Sequence, residues 1–282
     1  MVGDPPNVIL GTYFGLSFMD FVKGNGLIAG VGFLINTAFF VFCFRREIFS
    51  VRRTLRADPG RLRRQVESLD PRHAVSDHRL FVIGIVAMSA VAVALVTNGV
   101  TRVSVATIAI CGALLALLLS GRSMGRVLQK VDYSTIVFFA GLFLIVGALE
   151  HVGLLAAVAD GVKRISGGSF APALSIILWV SALGSSIVDN VPFAAALAPL
   201  LRHLSAIPGF STGPMIWSAS LGTDIGGNGT PIGASANVVA VAAYERMTEK
   251  KVSWGYYCRV SYPAMMIVVL ACNLLLWLLF AR

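Results

Sequence analysis

LGTDIGGNGTPIGASANVVAVAAYE, residues 221 to 245, sets Asp224, Asn228, Thr230, Ser235 and Asn237 among glycines and a proline, with apolar runs on both sides. Gly226, Gly227, Gly229 and Pro231 break any helix that enters this stretch, and Gly233 permits a tight return. The surroundings decide what such a break means. The chain has 282 residues, 56% of them hydrophobic and 13% charged, with a mean hydropathy of +0.80. That is the composition of a polytopic membrane protein. Non-helical backbone at membrane depth is tolerated only where it is buried in protein or lines a cavity. The stretch therefore reads as two half-helices with an unwound centre whose polar groups face a solute, the device by which many secondary transporters hold ions.

Apolar runs of spanning length lie at about 25 to 44, 80 to 97, 103 to 120, 133 to 150, 170 to 188 and 258 to 280, with the broken helix at 212 to 244. The formal charge of +9 belongs to the segments between spans rather than to a nucleic-acid surface. Segment 45 to 79 and the loops 121 to 132 and 245 to 259 together hold 17 of the 23 Lys and Arg residues. The positive-inside rule places all three in the cytoplasm and the C-terminus outside. Residues 170 to 205 must then begin and end on the outer side. The second arm, Pro192 to Leu201, is too short to cross, so a re-entrant hairpin with SSIVDNVP at its tip is favoured over two short crossings. HVGLLAAVADGVKRI, residues 151 to 165, reads as an amphipathic helix on the outer surface, and Glu150 as an interfacial anchor.

MVGDPPNVI at 1 to 9 aligns with PIGASANVV at 231 to 239, matching Gly3 to Gly233 and Asn7 to Asn237, and LSFMDF (16 to 21) resembles VSWGYY (252 to 257). This marks an internal repeat. Residues 1 to 44 are then the second half of a first broken helix plus one span, 45 to 79 a basic linker, and 80 to 282 the second repeat. The counterpart of the hairpin would precede residue 1. The expectation is that Met1 is internal to a longer transporter, or that a half-sized subunit needs a partner.

The candidate ion-binding residues are Asp189, Asn190, Asp224, Asn228, Thr230, Ser235 and Asn237, with Asp4 and Asn7 from the first repeat. A carboxylate at membrane depth is costly unless paired or neutralised, which singles out Asp189, although it also fits an N-cap of the helix after it. Asp224 suits a coupling proton or cation, or an interfacial position. Asn228, Thr230, Ser235 and Asn237 suit a hard cation such as sodium or a neutral or anionic oxo-species, or else satisfy free backbone groups. Sodium would sit at Asp189, Asn190 and Asn228. Cys43, Cys111, Cys258 and Cys272 form no metal or disulfide pattern, and no Ser/His, paired-Asp or HExxH arrangement points to an enzyme.

SSIVDNVPFAAALAPL, LGTDIGGNGTPIGASANVV and GDPPNVILG resemble the ion-transporter superfamily of arsenite permeases, NhaD-type sodium/proton antiporters and the pigmentation P protein, whose domain is citrate transporter-like. The resemblance covers essentially the whole chain. It implies an all-α inverted-repeat fold with re-entrant hairpins and discontinuous helices around a midplane site, a homodimer, and ion movement across the cytoplasmic (inner) membrane by alternating access. Substrates compatible with it are sodium against protons, arsenite or antimonite, and di- or tricarboxylates. No cofactor is expected beyond sodium or a proton as coupling ion, and an arsenite exporter would take an ATPase partner.

Overall fold

A computed structural model describes residues 4–57, 77–121, 124–129 and 131–280, apart from the side chains of 54–57 and 126. Gly3 and the middle of the basic linker, 58–76, lie outside the described residues. The helices are α1 (Pro5–Phe14), α2 (Phe18–Cys43), α3 (Arg45–Ala57), α4 (His78–Val96), α5 (Val105–Ser120), α6 (Tyr133–His151), α7 (Leu154–Ile165), α8 (Phe170–Ile187), α9 (Asn190–Ser205), α10 (Thr212–Gly226), α11 (Ser235–Thr248) and α12 (Trp254–Phe280). Two further single turns occupy Asn98–Thr101 and Met124–Leu128. Five helices, α2, α4, α6, α8 and α12, are long and apolar enough to cross a membrane, and among the described residues there is no strand. The protein is an all-α polytopic membrane protein. Large apolar side chains such as Phe33, 69% exposed, and Leu144, 76% exposed, point outward, as acyl chains allow and water does not.

Local chemistry sets the helix starts. Asp77, Ser104 and Asp132 accept the amides of Leu80, Thr107 and Thr135 at the starts of α4, α5 and α6. Each satisfies an amide that the first turn leaves without a partner. α1 opens on Pro5 and Pro6, whose missing amides cost nothing there, and ends at Gly15 in the left-handed conformation.

The chain forms two compact units. One is Thr37–Val131, in which α4 and α5 pack so closely that a Cβ on Gly112 would strike Val91. Its α3 makes a regular helix of the linker's first part, where no long apolar run is present. The other unit joins residues 1–36 to 132–282. Its core runs through Leu10, Ile28, Leu174, Leu178, Leu201, Met215, Ile216 and Val269, all essentially inaccessible.

Within that second unit, α8 and α9 form a helical hairpin joined at Val188 and Asp189. α9 is longer than the expected Pro192 to Leu201. Arg202 and His203, just past that run, sit in its last turn, where the helix dipole favours cations. Its 16 residues extend about 24 Å at 1.5 Å each, still short of a hydrocarbon core of about 30 Å. α10 lies along α8 at the distance that glycine permits: a Cβ on Gly222 or Gly226 would land on the α8 backbone at Leu178 or Ala182.

α1 begins at residue 5 and α11 at 235, the offset that matches Asn7 to Asn237. Ser17 and Ser253 then open the long helices that follow, accepting the amides of Asp20 at 3.3 Å and Tyr256 at 3.2 Å. α2 starts seven residues before the expected residue 25, which brings Asn25 inside the helix.

Candidate functional site

The start of α1, the start of α9 and the last turn of α10 meet around one polar cluster. Asn7 is its junction. Its Nδ2 donates to Asp224 Oδ2 at 2.6 Å, and its Oδ1 accepts the Ser220 hydroxyl at 2.6 Å. Ser220 stands one turn before Asp224, so both side chains share a face of α10. The Ser220 oxygen also accepts from Asn25 Nδ2 of α2 at 3.0 Å. On the other side, Asn190 Nδ2 donates to Asp4 Oδ1 at 3.4 Å, and the Asp4 and Asp224 side chains are near neighbours. Asp4 occupies the N-cap position of α1 without capping it, which leaves its carboxyl free for this contact.

Two acceptor oxygens in the cluster, Asp224 Oδ1 and Asn25 Oδ1, are enclosed and have no hydrogen-bond partner. Buried polar atoms are normally satisfied, so such atoms mark places where a ligand or a proton is to be sought. A cavity of about 520 Å³ opens beside Asp4, walled by Pro5, Val8, Phe139, Phe143 and Val191. A second, of about 430 Å³, shares Val8 and Phe143 and reaches Glu150.

The break in the long helix makes a second cluster. α10 ends at Gly226, a 3₁₀ turn covers Gly227–Gly229, and α11 starts at Ser235. Asn237 Nδ2 donates to the carbonyls of Gly227 at 2.8 Å and Thr230 at 3.1 Å, closing the loop on itself. The Thr230 hydroxyl donates to the Ser186 carbonyl at 2.6 Å and accepts the Gly233 amide at 3.1 Å. Ser185 donates to the Thr223 carbonyl at 2.7 Å. Together these bonds tie the hairpin tip to the break.

The expected residues thus divide. Asp4, Asn7, Asn190 and Asp224 come together. Asp189 lies beside Asp4, but its Oδ1 caps α9 by accepting the Val191 amide at 2.9 Å. Asn228 is exposed and donates to the Asp224 backbone carbonyl at 3.3 Å, Ser235 is exposed at the start of α11, and Thr230 and Asn237 hold backbone. The three residues expected to hold sodium, Asp189, Asn190 and Asn228, bind three different partners. Among the described residues no group of three or more His, Cys, Asp or Glu could hold a metal ion. Sequence reasoning missed Asn25 and Ser220. Asn25 was legible as an amide inside an apolar helix, and Ser220 as a hydroxyl four residues before an intramembrane carboxylate.

A helical membrane body, a hairpin tip and an interrupted helix thus surround partly buried amides and carboxyls. Residues 1–222 match the model of the citrate transporter family, and the chain belongs to that family. It is 33% identical over 280 residues to an uncharacterized transporter of Mycobacterium bovis, covering 99% of this chain and 63% of that relative. An uncharacterized transporter of Synechocystis is 29% identical over 308 residues, covering all of this chain and 65% of the relative. The P protein of Sus scrofa is 31% identical over 237 residues, 79% of this chain and 28% of its own length. The chain therefore spans less than two thirds of the length of these relatives.

Proposed function

We propose that this chain supplies the ion-binding half of a secondary active transporter that moves a small inorganic ion across the cytoplasmic membrane by alternating access. The observation that carries the proposal is the cluster of Asp4, Asn7, Asn190 and Asp224, assembled from two helix ends and a hairpin tip inside an apolar body. The reading treats α1–α2 and α11–α12 as corresponding parts of two repeats, and α8–α9 as a re-entrant hairpin. The tip-to-break bonds and the glycine contacts make hairpin and broken helix one rigid piece, suited to moving together against a scaffold. The basic linker and loops face the cytoplasm, the C-terminus lies outside, and the working form is a homodimer in lipid.

The site chemistry favours a cation. Two acidic side chains meet there, and no Lys, Arg or His side chain is hydrogen-bonded to them among the described residues. A di- or tricarboxylate, which the family's name suggests, would meet repulsion unless a cation entered with it. Sodium or proton exchange fits best, and arsenite or antimonite export, with its ATPase partner, less directly.

The test is ion flux in liposomes carrying the full-length protein. Sodium/proton exchange, arsenite efflux and citrate uptake are compared for wild type, Asp224→Asn, Asp4→Asn and Asp189→Asn. Loss of one flux in the first two variants, with a smaller effect of the third, is expected. No flux of any of these solutes in the wild type, or flux indifferent to Asp224, would end the reading.

A further inference from the structure

The apolar span α2 runs into α3 with little interruption. The Phe44 amide donates to the Phe40 carbonyl at 2.9 Å, and the Phe44 carbonyl accepts the Ile48 amide at 2.9 Å, so helical bonding crosses the junction. Five of the thirteen residues of α3 are arginine and one, Glu47, is acidic. Arg45, Arg46, Arg52 and Arg53 are exposed. Along the helix each lies within about 15 Å of the end of α2, and a long arginine side chain can reach back toward lipid headgroups. Phe44, Ile48 and Val51, spaced four and three apart, fall on one side, where Ile48 and Val51 stand 46% and 57% exposed. The Arg45 guanidinium lies over the Phe42 ring, 4.6 Å from its centre, which joins the first positive charge to the apolar surface of α2.

An exposed apolar stripe beside dense positive charge fits a surface that is negative in one layer and hydrocarbon in the next. We propose that α3 binds anionic phospholipid headgroups where α2 leaves the membrane, with its arginines on the lipid phosphates and Ile48 and Val51 among the outermost acyl carbons. Two observations choose lipid as the occupant. The charge is complementary, and the face continues the outward-pointing apolar surface of α2 at Val41 and Phe42. A second copy of the helix would set arginines against arginines and be repelled. An acidic protein would answer the charge and leave the continuity with the span without a purpose. The contact would hold the start of the basic linker at the membrane surface. It depends on α2 crossing the membrane, and neither on the transported solute nor on the side the linker faces.

Native mass spectrometry of the full-length protein, with phosphatidylglycerol or phosphatidylcholine added, measures the lipid preference. Hydrogen exchange in nanodiscs of phosphatidylcholine, alone or mixed with phosphatidylglycerol, locates the contact. Phosphatidylglycerol should be preferred, the preference should fall with added salt, and amides 45 to 53 should exchange more slowly in the anionic discs. Arg52→Gln and Arg53→Gln should each weaken phosphatidylglycerol binding about fivefold, whereas Arg52→Lys should keep it. Glu47→Gln removes the one acid of α3 and should strengthen binding, a gain that a misfolded chain would not give. Equal binding of the two lipids, or exchange at 45 to 53 that is the same in both discs, overturns the proposal. So does a preference that survives the α3 variants and falls instead with Arg79→Gln, at the exposed start of α4. Protection of 45 to 53 that follows protein concentration and ignores lipid assigns the face to a second copy and also overturns it.

Discussion

Asn7 and Asn237 are each the third residue of a helix, α1 and α11, yet they do opposite things. Asn237 turns back on its own loop and holds the carbonyls of Gly227 and Thr230. Asn7 reaches across to Ser220 and Asp224, more than 200 residues away. The same side chain at the same helical position is a stitch in one place and a part of the proposed ion site in the other. The difference lies in what each helix start faces: α11 faces the loop that precedes it, and α1 faces the last turn of α10.

The contrast is most severely tested by breaking the frame that both residues depend on. Gly226→Val pushes a side chain into the α8 backbone at Ala182, and the expected loss is about 3 kcal/mol, since overpacking a tight contact costs that much. It would be seen as loss of a monodisperse peak in detergent and of all flux. Asn237→Ala comes next. It frees two carbonyls at the break and should lower stability by about 1 to 3 kcal/mol, measured as a lower midpoint of thermal unfolding in detergent. Asn7→Ala should instead abolish or strongly reduce flux, with a midpoint closer to wild type than that of Asn237→Ala. If the two substitutions exchange these signatures, the division between stitch and site is wrong. Thr230→Val keeps the shape and removes one bond to the hairpin tip, with an expected cost of about 1 kcal/mol. Smallest are Ser17→Ala and Ser253→Ala, each removing one helix cap; equal losses of about 0.5 to 1 kcal/mol would sharpen the correspondence between the two chain ends.

Much of the frame was legible from composition and spacing. Spans expected at 133 to 150 and 170 to 188 fall on α6 and α8 within a residue at each end, because a bilayer imposes length and apolarity directly on sequence. The break between Gly226 and Ser235 was legible for a related reason: clustered glycines and a proline weaken a helix. The site was only half legible. Asp189 drew attention as an acid at a hairpin tip, but the N-cap demand of α9 takes up one of its oxygens. Asn228, Thr230 and Asn237 read as ligands by residue type, yet an interrupted helix exposes its own carbonyls and amides, and these residues satisfy them first. Asn25 and Ser220 carried no motif at all.

By itself the sequence determined the solvent, five of the six expected spans, the place of the break and the list of polar groups available at membrane depth, since each follows from local apolarity or from backbone that resists helix; the run expected at 103 to 120 became the 16-residue α5, shorter than a spanning helix. Only the tertiary structure decided which of those polar groups face one another. That pairing depends on which helix ends pack together across more than 200 residues of chain, and no local pattern encodes it.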